Sequence, residues 1–289
     1  MKKISGHTRP FAVLGHPIGH TLSPAMHNAA IEALGMDAIY LAFNVAPDRV
    51  LNALSAMADM GFGGVNLTVP LKEVAFRGLQ NLDDSARILG AVNTVQFLPD
   101  GLKGWNTDGR GFLTALREAF GCTVAGQSVF ILGSGGAGRA VGIACALENA
   151  GRIRMADVDP ARPSRVVQEL SVLAPGVPAE AVGTGREAWR AACRDADLVV
   201  QATPVGMKRE EQSLLDSKAF REGQKVFDLI YMYPETVFLK EARQAGAATA
   251  NGLGMLLHQG ALAFSIWTGV QPPVEVMRRA LEQAVYGPE

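Results

Sequence analysis

The clearest chemistry in the chain lies in Gly133-Ser134-Gly135-Gly136-Ala137-Gly138, where glycines 133, 135 and 138 fit G-x-G-x-x-G. An apolar run, residues 129–132, precedes it. An alanine-rich helical segment follows, and a second apolar run from Ile153 carries Asp157. Strand, glycine turn, helix, strand and acid, with the acid roughly 20 residues beyond the motif, is the order of a dinucleotide-binding unit. Gly133 permits a tight turn, Gly135 lets backbone approach a pyrophosphate, and Gly138 lets the helix pack on the strand. The helix start then offers free N–H groups and its positive dipole end to phosphates. The chain has 32 glycines, so the motif alone would also fit a plain packing turn; the flanking strands, helix and acid argue against that.

Asp157 also bears on the choice of dinucleotide. A carboxylate there can accept hydrogen bonds from the ribose hydroxyls of NAD and would repel the 2′-phosphate of NADP. NAD is therefore the expected cofactor. NADP remains open through Arg154 or Arg162, of which Arg162 is better placed to hold a phosphate.

A second group is Thr21, Ser23, Asn66, Thr68 and Lys72, which fall just past the ends of two predicted strands. Singly they read as helix caps, turn residues and a surface lysine. Together, two hydroxyl-bearing loops and a lysine at one sheet edge suit a small, polyhydroxylated, acidic ligand. Asp108 fits the N-terminus of a helix and also a carboxylate facing a ligand cleft. His16, His20 and His27 lie close in sequence but match no metal-ligand spacing, so no metal site is expected and core or hinge roles are the default.

These residues need a scaffold to hold them. Residues 11–14, 39–45 and 64–69 read as strands, with helices at 24–34, capped by Ser23, and at 49–60 between them. The alternation predicts parallel pairing by right-handed crossovers. Residues 91–95 read as another strand, Asp100-Gly101 as a hairpin turn, and 112–120 as a helix. Beyond the glycine loop, strands are expected at 196–202 and 225–230, and helices at 162–173 and 238–245. Two C-terminal helices, from Gly252 and from Val274, have no strands of their own. The expectation is a two-domain α/β protein: an N-terminal α/β substrate domain, residues 1–107 plus 252–289, and a Rossmann-like dinucleotide domain, residues 108–251. The C-terminal helices return to the first domain.

The length of 289 residues accommodates two domains, and 48% hydrophobic content suffices for their cores. A net charge of −1 argues against nucleic acid or a membrane surface as partner. Three cysteines without a CxxC read as reduced thiols, and no leader or membrane-spanning run is found, so a cytoplasmic protein is expected.

Eight stretches now add up to a family. GHPIGHTLSP, GVNLTVPLK, GAVNT, NTDGRGF, LGSGGAG, ATPVGM, DLIYMYPET and GLGMLLHQGALAFSIWTG resemble the shikimate/quinate dehydrogenases, in that family's order and over nearly the whole chain. The resemblance implies interconversion of 3-dehydroshikimate and shikimate with a nicotinamide dinucleotide. It implies Lys72 and Asp108 as the catalytic pair. Ligand contacts are implied for Thr21, Ser23, Asn66, Thr68, Asn93, Tyr231 and Gln259. Cofactor contacts are implied for the glycine loop, Thr203, Leu229, Gly252 and Met255.

Two positions depart from the family. Serine is usual where Thr21 stands, and the extra methyl bears on the choice between shikimate and quinate. NADP-using members usually carry an Asn-Arg-Ser/Thr stretch here, whose arginine holds the 2′-phosphate, where this chain has Ala156-Asp157-Val158-Asp159. A quinate or dual-substrate dehydrogenase is therefore the nearest alternative. A dinucleotide-binding regulator without turnover would be expected to lose Lys72 and Asp108, and both are present. Small-molecule ligands and a monomer or homodimer complete the expectation.

Overall fold

The computed structural model describes residues 4–287. The chain forms two compact units, one of residues up to Thr107 together with those from Leu257 onward, the other Asp108–Leu256.

The first unit begins β1 (Arg9–Gly15), α1 (Ser23–Ala33), β2 (Ala38–Asn44), α2 (Val50–Asp59) and β3 (Gly64–Leu67). It continues α3 (Leu71–Gly78), β4 (Asn81–Leu82), α4 (Asp84–Leu89), β5 (Thr94–Leu98) and β6 (Gly101–Trp105). The sheet order is β2-β1-β3-β5-β6-β4. The first three strands are parallel, as the alternation of strands and helices requires. From β5 onward the pattern changes. β5 runs antiparallel to β3 and forms a hairpin with β6, turning at Asp100-Gly101. Ladder pairing starts at Thr94, not Ala91: the Asn93 backbone still bonds Trp105 O and Leu67 N, but Val92 N turns away to the Lys72 carbonyl. Ser23 is the first residue of α1 and not its cap; the Thr21 hydroxyl takes the Ser23 N–H instead (3.4 Å).

One face of this sheet is covered by α2 and α3, through Leu14, Leu54, Leu67 and Leu71. An aromatic cluster of Phe11, His27, Tyr40, Phe264 and Trp267 forms elsewhere in the same unit. The Trp267 indole donates to the Val95 carbonyl (3.0 Å), and Gly64 must be glycine because a Cβ there would meet that ring at 2.1 Å.

His27 is fully buried, stacks on Tyr40 at 4.2 Å, and has no hydrogen-bond partner on either ring nitrogen. Burial pushes its pKa down to about 3. The folded value thus lies below the unfolded one of about 6.5, so the stability carried by the neutral ring is complete above about pH 6.5 and is lost as pH falls toward 3. Urea unfolding should show the unmodified protein losing about 1 kcal/mol more than His27→Leu between about pH 6.5 and about pH 5.5. Equal losses would assign the acid sensitivity to other groups.

The second unit opens with α5 (Asp108–Phe120), β7 (Ser128–Leu132), α6 (Gly136–Leu147), β8 (Arg152–Ala156), α7 (Ala161–Leu173) and β9 (Ala179–Ala181). Then come α8 (Arg186–Arg194), β10 (Leu198–Gln201), β11 (Lys225–Asp228), α9 (Val237–Gln244) and β12 (Ala248–Ala250). Its six strands are all parallel, ordered β12-β11-β10-β7-β8-β9. Strand order reverses between β7 and β10, the switch point where doubly wound sheets bind ligands. Helix α5 starts four residues before the sequence-based expectation. Gly109 and Gly111 are poor helix formers, but both are buried in its first turns, where packing outweighs propensity. Two helices follow, α10 (Leu253–Thr268) and α11 (Val274–Tyr286); α11 packs on α1. Among the described residues no helix is long and apolar enough to cross a membrane.

Candidate active site

In the first unit, the carboxyl ends of β1 and β3 bring two loops together. Thr68 N donates to Leu14 O (2.9 Å) and His16 N to Val69 O (3.2 Å). Gly15 is needed here, since a Cβ would lie 2.6 Å from the Thr68 methyl. Thr21 and Thr68 are half-buried on these loops, and Ser23 is buried at the start of α1. Lys72 stands half-buried in the first turn of α3, and its carbonyl accepts from Val92 N (3.0 Å).

The two asparagines are more committed than the sequence implied. Asn66 Oδ1 accepts from the Tyr40 hydroxyl (2.7 Å), and Nδ2 donates to Asn93 O (3.2 Å) and Thr94 Oγ1 (3.1 Å). Both Asn66 N–H groups are therefore spent within the protein, leaving one acceptor lone pair for any ligand. Asn93 Oδ1 accepts from Thr107 N (2.9 Å) and from Thr94 Oγ1 (3.0 Å), while Nδ2 donates to Thr107 Oγ1 (2.8 Å). At 3.5 Å the same Nδ2 also faces Gln259 Oε1, on α10. Asn93 thus fixes the residue immediately before Asp108. Tyr40 was not visible as a site residue in the sequence; an aromatic in an alternating strand reads as core.

In the second unit, Asp108 is half-buried as the first residue of α5, where the helix dipole favours a carboxylate. Gly133 has φ +104°, and a Cβ on it would lie 2.7 Å from the Ala202 backbone. A Cβ on Gly138 would be 1.8 Å from Gly133 O, so α6 sits directly on the glycine turn. By contrast, Gly135, Gly136 and the start of α6 face open space, with no side-chain cap and no acidic residue in the first turn. That cradle of unpaired N–H groups fits a pyrophosphate.

Ser134 and Asp157 are buried and bonded to each other. Asp157 Oδ2 accepts from Ser134 N (2.8 Å), Oδ1 accepts from Asp159 N (3.1 Å), and Ser134 Oγ donates to Ala156 O (3.2 Å). Arg162 is half exposed and lies 3.7 Å from Asp157 and 3.4 Å from Asp159. Arg154 is buried and paired with Glu180 and Asp195.

Beyond β10 and β11, two buried polar residues shape the loops. Gln201 accepts from Thr203 N and donates to Val205 O (2.9 Å), while the Thr203 hydroxyl accepts from Val205 N (3.2 Å). Asp228 accepts from Thr236 Oγ1 (2.6 Å) and Ile230 N (3.0 Å); burial nonetheless raises its pKa to about 6. Each is the final, polar residue of an apolar strand, and that position was the available signal. Gly252 backs directly onto Leu229, where a Cβ would lie 2.0 Å from Leu229 O. Met255 follows in the first turn of α10, and burial raises the Tyr231 phenol's pKa. Among the described residues, no cluster of His, Cys, Asp and Glu is arranged to hold a metal.

Residues 13–95 match the family model of the shikimate dehydrogenase substrate binding domain, and residues 252–282 that of the shikimate 5′-dehydrogenase C-terminal domain. The chain is 45% identical over 280 residues to a shikimate dehydrogenase (NADP(+)) of Methanopyrus kandleri, covering 96% of each. Other curated relatives carry the same NADP(+) name. A shikimate 5-dehydrogenase of Listeria monocytogenes, solved with shikimate and NAD, superposes with a TM-score of 0.91 at 34% identity, over 97% of this chain and 99% of that one. A Corynebacterium glutamicum quinate dehydrogenase, solved with NAD, reaches 0.86 at 29% identity, over 94% of this chain and 98% of that one.

Proposed function

The chain belongs to the shikimate dehydrogenase family, and we propose that it catalyses the reversible reduction of 3-dehydroshikimate to shikimate with a nicotinamide dinucleotide. The observation that carries this is near-complete coverage at 45% identity in a chain that retains both Lys72 and Asp108.

When bound, the nicotinamide supplies or takes up the hydride. The protein's own work is to hold the substrate and move one proton. As the alcohol is oxidised, its hydroxyl proton must leave; in the reverse direction the ketone oxygen must gain one. Lys72 Nζ and the Asp108 carboxylate are the groups proposed for that proton, and as a coupled pair they are treated as one acid–base unit. Thr21, Ser23, Thr68, Asn93, Tyr231 and Gln259 are the proposed contacts to ligand hydroxyls and carboxylate. Asn66 keeps a single acceptor for the ligand and otherwise orders its neighbours.

For the cofactor, the open backbone at Gly135, Gly136 and Ala137 is proposed to hold the pyrophosphate, framed by Gly133, Ser134 and Gly138. Thr203, Leu229, Gly252 and Met255 are proposed to line the nicotinamide end, and Asp157 the adenosine ribose. NAD is the proposed preference. The names of the curated relatives speak for NADP, while the Asp157-Val158-Asp159 stretch speaks for NAD.

Quinate oxidation is a second reading, favoured by Thr21 and by the likeness to an NAD-bound quinate dehydrogenase. Steady-state rates with shikimate and quinate against both cofactors test all of this at once. The expected result is a higher kcat/KM for shikimate than for quinate. Turnover of quinate alone would overturn the substrate assignment, and no turnover of either would overturn the reaction.

A further inference from the structure

Asp228 ends β11 with no exposed surface, and among the described residues no arginine, lysine or histidine is paired with it. An unpaired buried acid is costly, and burial accordingly raises its pKa to about 6. A strand end with a packing role alone would be served by valine. The two hydrogen bonds show what the carboxylate does instead. Oδ1 accepts from Ile230 N (3.0 Å) and Oδ2 from the Thr236 hydroxyl (2.6 Å), so one side chain ties both ends of the segment that leaves β11. Thr236 Oγ1 also accepts from Leu239 N (3.2 Å) as the cap of α9, and its own buried proton then needs an acceptor. Asparagine has one acceptor oxygen where this position uses two.

The tied segment begins with Leu229, Ile230 and Tyr231. Leu229 N donates to Gln201 O (2.9 Å), and Ile230 O accepts from Gly252 N (3.1 Å). Farther along, Asn251 Nδ2 donates to the carbonyls of Tyr233 and Pro234 (3.1 Å each). Among the described residues, the Ile230 N–H has Asp228 as its one partner. Ile230 joins Leu229, proposed above to line the nicotinamide end, to Tyr231, proposed to contact the substrate. Sheet order agrees with that division. The glycine turn and Asp157 follow β7 and β8, on the adenosine side of the switch point, whereas β11 lies on the other side.

We infer that Asp228 is a positioning residue: latched to Thr236, it holds Ile230 and so sets Leu229 for the nicotinamide half of the dinucleotide and Tyr231 for the substrate. The inference rests on the dehydrogenase reading above. Asp228 itself, wholly buried, touches neither ligand. Without the latch, the segment after β11 loses the tie between its two ends. The Ser134–Asp157 bond and the glycine turn keep their own partners, so the adenosine half is unaffected.

The test is Asp228→Asn, with Thr236→Ala and Thr236→Ser beside it. NADH and NADPH carry both halves of the dinucleotide; ADP carries only the adenosine and two phosphates. Asp228→Asn should raise the Kd of the reduced dinucleotides, read from nicotinamide fluorescence, and the KM for shikimate about tenfold, with the calorimetric Kd for ADP within about twofold. Thr236→Ala, which removes a helix cap but not a domain's fold, should give the same split, and Thr236→Ser, which keeps the hydroxyl, should restore the unmodified values. Unchanged dinucleotide and shikimate constants in Thr236→Ala would overturn the inference even if Asp228→Asn does not fold. An equal loss of ADP affinity would overturn it too, by tracing the effect to the unit as a whole. Absence of shikimate turnover in the unmodified enzyme, measured first, would overturn the dehydrogenase reading, whereas a normal unmodified enzyme with unaffected variants overturns the latch alone.

Discussion

Replacing Lys72 with alanine is expected to lower kcat by about 10²–10⁴-fold, the usual range for lost acid–base catalysis. The KM for shikimate should change far less. Lys72 is one polar group among several, and the loops carrying Thr21 and Thr68 are held by backbone hydrogen bonds that do not involve it. Asp108→Asn should follow the same pattern. It leaves α5 its first polar residue but removes the charge that would share the proton. Because the two groups are proposed to act as a unit, the double variant should be little slower than the worse single one. Near-normal turnover in Lys72→Ala, measured by single-turnover kinetics so that product release does not mask chemistry, would return Lys72 to an ordinary surface role.

How much of this was legible beforehand depended on the kind of signal. The parallel half of the first sheet and the four inner strands of the nucleotide sheet followed from apolar runs separated by helical segments, because period and crossover handedness leave few arrangements, whereas the short edge strands β9 and β12 carry no such run. The hairpin β5–β6 was signalled by Asp100-Gly101, but the start of β5 was misread. Ala91 and Val92 look like strand, yet Val92 N bonds the Lys72 carbonyl on α3 and the chain joins the sheet only beyond it. The late start assigned to α5 has the same origin, since burial of Gly109 and Gly111 is a tertiary fact.

At the proposed site, residue types and motifs pointed to particular loops but not to the hydrogen bonds within them. Asn66 reads as a ligand contact and proves to be mostly a brace. Tyr40, Gln201 and Asp228 read as strand residues and prove to hold site loops or amides. Pair partners that are 26 to 28 residues apart, such as Tyr40 with Asn66 and Asn66 with Thr94, leave no local trace in a single sequence.

The choice of cofactor turns on the end of β8. Asp157 is buried there, and both of its oxygens already accept backbone N–H groups, so its position is fixed by the fold. Asp159 adds a second carboxylate nearby. Of the two arginines that could answer this charge, Arg154 is withdrawn into ion pairs with Glu180 and Asp195. Arg162 rests between Asp157 and Asp159, so it would have to leave both to hold a phosphate. Val158, next to Asp157, is 76% exposed and brings no charge. Repulsion of a 2′-phosphate is weakened by solvent and salt but not removed at a buried carboxylate. The expected result is a kcat/KM at least about tenfold higher with NAD than with NADP, or roughly 1.4 kcal/mol. Asp157→Asn should shrink the ratio. It also disturbs the bond to Ser134, but both cofactors use the same glycine loop, so that loss cancels in the ratio. Val158→Arg should shrink the ratio further by raising efficiency with NADP. Equal or better efficiency with NADP in the unmodified enzyme would sink the argument and identify Arg162, released from its two carboxylates, as the phosphate clamp.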